Sequence, residues 1–105
     1  MKKYIVNITP HALDMMTQIF EYIAFDLLEP KYAAEQITHL QEKIQSLDTM
    51  PKRCKTLSKK LYQSHELRRL LVDNYSVFYY LEGNIVTITD ILYSRSDLLR
   101  RLKTM

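Results

Sequence analysis

The order of apolar and polar positions divides the chain into a helical first half and a β-rich second half. Tyr4 to Thr9 reads Tyr-Ile-Val-Asn-Ile-Thr, rich in β-branched and aromatic residues and stopped by Pro10, which predicts a short strand. Thr9 can cap the free N–H groups of a helix opening at Pro10, where proline gives up no hydrogen bond. Ala12, Met15, Met16, Ile19, Phe20, Ile23 and Leu27 recur at three- and four-residue spacings with Asp14, Gln18 and Glu21 between them, predicting one amphipathic helix to near Leu28. Pro30 punctuates the chain, and Ala33, Ile37, Leu40, Ile44 and Leu47 then predict a second helix, so the two form a helical hairpin. Their 4-3 stripe lasts only about two heptads, too short for a coiled coil, and is read as packing against the rest of the domain.

Met50-Pro51 closes the helical half. Lys52 to Lys60 follows with five positive charges and no acid, and is expected as a cationic loop. From Leu67 the pattern is that of strands: Leu67 to Val72, a turn at Asp73-Asn74, Tyr75 to Leu81, a turn at Glu82-Gly83-Asn84, then Ile85 to Tyr93. Gly83, the only glycine, stands where a hairpin needs positive φ. Ile85 to Tyr93 is apolar at both parities, as a strand interior to its sheet should be. Ser96 to Met105 is expected as a short basic helix. The expected fold is therefore α+β: an N-terminal strand, a two-helix hairpin packed on one sheet face, an antiparallel three-stranded meander, and a C-terminal basic helix, with the opposite sheet face open to a partner.

At 105 residues and 12.6 kDa, residues 1–105 make one compact domain, too small for a doubly wound nucleotide enzyme or a (β/α)8 barrel. A single cysteine, Cys54, excludes an internal disulfide and a cysteine-rich zinc site. No apolar run approaches the roughly 18 residues of a membrane span, and the start lacks the apolar core of a signal peptide, so a cytoplasmic protein without a membrane role is expected. The net charge of +3 hides an asymmetry: residues 1–50 carry four Lys/Arg and seven Asp/Glu, residues 51–105 carry eleven and five. Basicity gathered in one half suggests an anionic partner.

His11, His39 and His65 fall on three different elements without ligand spacing, so no metal is expected, and one glycine cannot build a phosphate loop. What remains is a cationic and phenolic set in the second half: Lys52, Arg53, Lys55, Lys59, Lys60, Arg68, Arg69, Tyr75, Tyr79, Tyr80, Tyr93 and Arg95. Such a set suits RNA, with cations on phosphates and tyrosines on unpaired bases. A nuclease using the RNA's own 2′-OH would need only proton transfer and charge stabilisation, with no metal or small-molecule cofactor. Tyrosines at alternating strand positions equally fit cross-strand packing. Arg68 and Arg69, adjacent on a strand, must point to opposite faces. His65 reads either as an acid or base or as a surface loop residue, and Cys54 has no identifiable catalytic partner.

Several phrases in order make the chain resemble the RelE/ParE superfamily of toxins from type II toxin-antitoxin modules, the plasmid stabilisation type, over essentially its whole length. They are Ile8-Thr9-Pro10-His11-Ala12, Phe20-Glu21-Tyr22-Ile23-Ala24, Ile44-Gln45-Ser46-Leu47 with Met50-Pro51, the run Arg68 to Tyr80, and Ile91-Leu92-Tyr93-Ser94-Arg95-Ser96-Asp97-Leu98. The resemblance implies a toxin that arrests growth of its own cell and is neutralised by a cognate acidic antitoxin. It also implies one of two targets: the ribosome and its mRNA, cleaved by a metal-independent mRNA interferase, or DNA gyrase, which is inhibited. Where nuclease members carry an arginine after the strand-three tyrosine, this chain has Ser76, and where some carry a catalytic histidine it has Arg95. Among the catalytic candidates Arg95 could stabilise a phosphate but makes a poor general base, so proton transfer would fall to Tyr93 or Lys55, with Lys52, Arg53, Lys59, Lys60, Arg68, Arg69 and Tyr75 binding RNA or a partner. The alternative is a non-toxic structural or adaptor domain that keeps the fold.

Overall fold

The structure of the protein is a computed structural model that describes residues 3–62 and 64–93, with backbone alone at 58–62. Strand β1 (Ile5–Ile8) leads into helix α1 (Pro10–Glu21) through the joint the sequence suggests. Thr9 stays extended, its Oγ1 accepts from the Ala12 N–H at 3.1 Å, and Pro10 takes the first helical turn. The helix does not run to Leu28 as one α-helix. It widens over Tyr22–Asp26 into a π-helical turn, in which the Leu27 N–H donates to the Tyr22 carbonyl at 3.0 Å. Ile23 and Ala24 of this turn pack on Ala33 while Tyr22 and Phe25 stay exposed. Leu28 then reverses the chain at a φ of 58°, uncommon for a bulky side chain.

Helix α2 (Pro30–Gln45) buries Ala33, Leu40 and Ile44, and a 3-10 turn (Ser46–Asp48) buries Leu47. The segment expected as one cationic loop is instead a short 3-10 turn (Pro51–Arg53) followed by strand β2 (Thr56–Tyr62). Pairing with β3 makes this segment a strand, and lysines suit a sheet edge, where their charge keeps another strand from adding. Strands β3 (His65–Val72), β4 (Tyr75–Glu82) and β5 (Ile85–Tyr93) complete a four-stranded antiparallel meander, one strand more than the hydrophobic pattern suggests. Asp73 and Gly83, at φ of 55° and 61°, open the β3–β4 and β4–β5 turns.

Strand β1 adds in parallel to β5, with Ile5 opposite Ile85, and the sheet order is β1-β5-β4-β3-β2. β5 is thus interior, as its two-sided apolar pattern predicts. The helices cover one face: Val72, Val77, Tyr79, Val86, Ile88 and Ile91 form one buried cluster with Ala12, Met16, Leu40, Ile44 and Leu47. The other face is not open along β4, where Ser76, Phe78 and Tyr80 are buried as well. Arg95 and the C-terminal helix expected over Ser96 to Met105 lie outside the described residues. Among the described residues no helix is long and apolar enough to cross a membrane.

Candidate partner-binding surfaces

Two hollows flank the sheet, one cationic and one lined with tyrosines. The cationic hollow encloses about 530 Å³ and is lined by Lys52, Arg53, Cys54, Lys55, Thr56, Glu66 and Arg68. Its floor is the 51–54 turn, which three side chains hold from different directions. The Tyr79 hydroxyl, fully buried, donates to the Pro51 carbonyl at 2.6 Å. Arg68 Nη1 donates to the carbonyls of Cys54 at 2.6 Å and Lys52 at 3.3 Å. Arg53 folds back over the end of the helical half, Nη1 donating to Thr49 O at 2.8 Å and Nη2 to Ser46 Oγ at 2.8 Å. Burial foremost, with the adjacent Cys54 thiol, pushes the Tyr79 hydroxyl well above the usual tyrosine range, so it stays a proton donor.

Those bonds separate the sequence-predicted cations into two groups. Arg53 and Arg68 are engaged by backbone carbonyls and hold the turn, whereas Lys52 and Lys55 are exposed and turn their charge to solvent. Arg69, opposite Phe78 in the ladder, stands on the face away from Arg68, which is opposite Tyr79. Lys59 and Lys60 lie on β2, and their side chains are outside the described residues. Ser76 is fully buried, so the position that differs from the nuclease members faces no open surface. Cys54 is a free, half-buried thiol.

The second hollow is a groove of about 950 Å³ between the helical hairpin and the end of the sheet, with Tyr22, Tyr32, Tyr75 and Tyr93 in its walls beside Met15, Ile19 and Leu27. Tyr75 and Tyr93 are ladder partners whose rings meet edge to face, 5.7 Å between centroids at 79°. Burial raises the Tyr75 hydroxyl above its ordinary pKa, and the hydroxyls of Tyr32, Tyr93 and Tyr22 add to that rise. A polar cluster lies beside the groove. The Asp73 carboxylate, at the β3–β4 turn, accepts from Gln36 Nε2 at 3.0 Å and meets His39 Nδ1 at 2.7 Å, both from α2. The Gln36 bond, then the His39 bond, hold Asp73 below the usual carboxylate range. Tyr32 donates in turn to Gln36 Oε1 at 3.4 Å.

Tyr93 and Lys55, the alternative catalytic candidates, line different hollows. Tyr93 pairs with Tyr75, and Lys55 adjoins Thr56, whose ladder neighbours are Arg68 and then Tyr79. Tyr75 and Tyr79 stand four residues apart on β4, roughly 13 Å along an extended strand. The polar stripe of α2 was missed by sequence reasoning. Tyr32, Gln36 and His39 fall at helical spacing beside the apolar stripe, a signal that one face of α2 meets something polar. His65 begins β3 rather than sitting in a loop. Its ring stacks on Tyr80 at 4.5 Å and its Nε2 approaches Glu82 at 3.5 Å. Among the described residues, no group of three or more His, Cys, Asp or Glu is placed to hold a metal ion.

Comparison with known proteins fits this architecture. The family model described as "ParE toxin of type II toxin-antitoxin system, parDE" matches residues 6–98. Among solved structures, one described as "Chromosomal ParDE TA system from P. aeruginosa" superposes with a TM-score of 0.73 at 15% identity, covering 89% of this chain and 98% of that one, which establishes a shared fold. No curated protein matches the chain by sequence.

Proposed function

The chain belongs to the ParE toxin family of type II toxin-antitoxin systems, and from that premise we propose that it arrests growth in the cytoplasm by gripping a protein target, DNA gyrase, until a cognate antitoxin covers it. The observation that supports this reading is the use made, among the described residues, of Arg53 and Arg68. Arg53 and Arg68 donate to carbonyls of their own chain, and Lys55 and Tyr93 occupy separate hollows. A scissile phosphate needs a proton acceptor, a proton donor and cations within a few ångströms of one another. Two hollows of different character suit protein recognition better. An antitoxin with an acidic stretch would meet the ammonium groups of Lys52 and Lys55, in a contact that weakens with salt.

Ribosome-dependent mRNA cleavage is the second reading, supported by those same two exposed lysines at one hollow. One experiment separates the two. The chain is induced alone, and as growth stops the 5′ ends of mRNA are mapped and the chromosome is checked for double-strand breaks. Broken DNA with an SOS response and intact mRNA is the expected result. New in-frame cuts with intact chromosomes would overturn it in favour of the nuclease, and unarrested growth would favour a non-toxic adaptor domain.

A further inference from the structure

The helical hairpin is built on two cores. Ala12 and Met16 of α1 and Leu40 and Ile44 of α2 are buried together with sheet residues. Ile23, Ala24 and Ala33 form a second cluster which, among the described residues, includes nothing from the sheet, and half-buried Ile19 touches both. The tip, residues 20–35, thus packs on itself, with the rings of Phe20 and Phe25 edge to face at 6.5 Å. The groove lies between this tip and the sheet residues Tyr75 and Tyr93. A unit with its own small core and few ties to its neighbours opens at a lower free energy than the whole fold.

One carboxylate oxygen stands at the junction of the two cores. Asp73 Oδ2 accepts from Gln36 Nε2 at 3.0 Å and lies 2.7 Å from His39 Nδ1. Gln36 and His39 fall where α2 passes from the tip cluster at Ala33 to the main core at Leu40. Gln36 is only 5% exposed, so without Asp73 its amide would be left nearly buried and short of a partner. Its Oε1 accepts from the Tyr32 hydroxyl at 3.4 Å, and Tyr32 is part of the groove wall, so a chain of bonds runs from the β3–β4 turn into the tip. We propose that Asp73 latches the hairpin tip to the sheet. With Gln36 and His39 bound, the tip keeps its distance from Tyr75 and Tyr93; with the carboxylate released, residues 20–35 open as a unit, hinged on the helix residues buried in the main core. Groove width and the order of the β3–β4 turn are thereby coupled, each biasing the other. The latch goes beyond the growth-arrest reading and does not depend on which target the toxin has.

Native-state amide exchange on the full chain, with urea added in small steps, tests the latch. In the parent, amides of residues 22–35 should exchange faster and with a weaker urea dependence than those of residues 40–44, because opening the tip exposes less surface than unfolding the chain. Asp73→Gly removes the carboxylate and suits the φ of 55°, and Gln36→Met keeps a side chain of similar length without its hydrogen bonds. Each should speed exchange of the tip on the order of tenfold. Tyr79→Phe is the control: its bond to Pro51 stays made while the tip is open, so it should speed residues 40–44 and leave the tip at its parent rate. Tip rates that follow Tyr79→Phe as closely as Asp73→Gly would mean that the tip opens only with the whole fold. Tip rates unmoved by both Asp73→Gly and Gln36→Met would mean that nothing is latched there. Either result overturns the proposal.

Discussion

The hydroxyl of Tyr79 and the carbonyl of Pro51, 28 residues apart, share a buried 2.6 Å hydrogen bond that joins the central strand to the entrance of the edge strand. Both partners are out of water. Tyr79→Phe keeps the ring and leaves a buried carbonyl unanswered, at a cost of about 1–3 kcal/mol. Urea unfolding should show a lower midpoint with an unchanged slope, and amide exchange should quicken at residues 52–55. An unchanged midpoint would mean that the turn is held without this bond.

Arg68 and Lys55 should separate structure from recognition. Arg68→Ala removes the donor to Cys54 O and should destabilise the fold by about 1–2 kcal/mol, lowering toxicity through the folded population. Lys55→Ala and Lys52→Ala touch only exposed side chains, and their stability should stay within about 0.5 kcal/mol of the parent. Their antitoxin binding should nonetheless weaken and lose part of its salt dependence. Parallel unfolding and binding titrations of the three variants check this assignment.

The Asp73 anchor makes an acid-side prediction. Its carboxyl is held below the unfolded value of 3.8 by Gln36 and His39, so the folded state binds this proton less readily than the unfolded state. The resulting stability is fully present above that unfolded value and is lost as pH falls through the depressed folded value. Asp73→Asn tolerates the positive φ of the turn and removes the titration. Unfolding free energies measured from pH 2 to 6 should fall less steeply for the variant over the acid limb. Identical slopes would show that Asp73 contributes nothing to acid stability.

Gly83 offers a test of backbone strain alone. An added Cβ would meet nothing within 4 Å, so Gly83→Ala is strained only by its φ of 61°. The expected destabilisation is about 1–2 kcal/mol, and Gly83→Asn should recover part of it. Thermal unfolding of the pair is sufficient, and an unaltered midpoint in the alanine variant would show that the turn relaxes at no cost.

Local chemistry was legible from the amino acids. Thr9-Pro10 marks a helix start, the lone glycine marks a hairpin, and the two-sided apolar run at Ile85 to Tyr93 marks an interior strand, because each depends on neighbours a few residues away. The resemblance in the ordered phrases from Ile8 to Leu98 likewise led to the right family. The features that escaped depend on distant partners. Strand β2 reads as a cationic loop because its pairing with β3, not its own pattern, makes it a strand. Arg68 reads as an available phosphate ligand until the Cys54 carbonyl, 14 residues earlier, is found beside it. Gln36 reads as an ordinary helix residue until Asp73, 37 residues later, answers its amide. The π-helical turn at Tyr22–Asp26 left no mark in a spacing that fits an unbroken α-helix.

The parallel pairing of the first and last described strands bears on how the protein is made. Ile5 and its ladder partner Ile85 are eighty positions apart, so Ile85 is synthesised well after Ile5. A nascent chain therefore cannot close its sheet until Ile85 to Tyr93 has been made, since non-local pairing waits for its second strand to exist. Prematurely terminated fragments ending before Ile85 lack the strand that β1 needs and the floor beneath α1. A cell that abandons synthesis of this chain midway is left with unfolded pieces for its proteases rather than with a working poison.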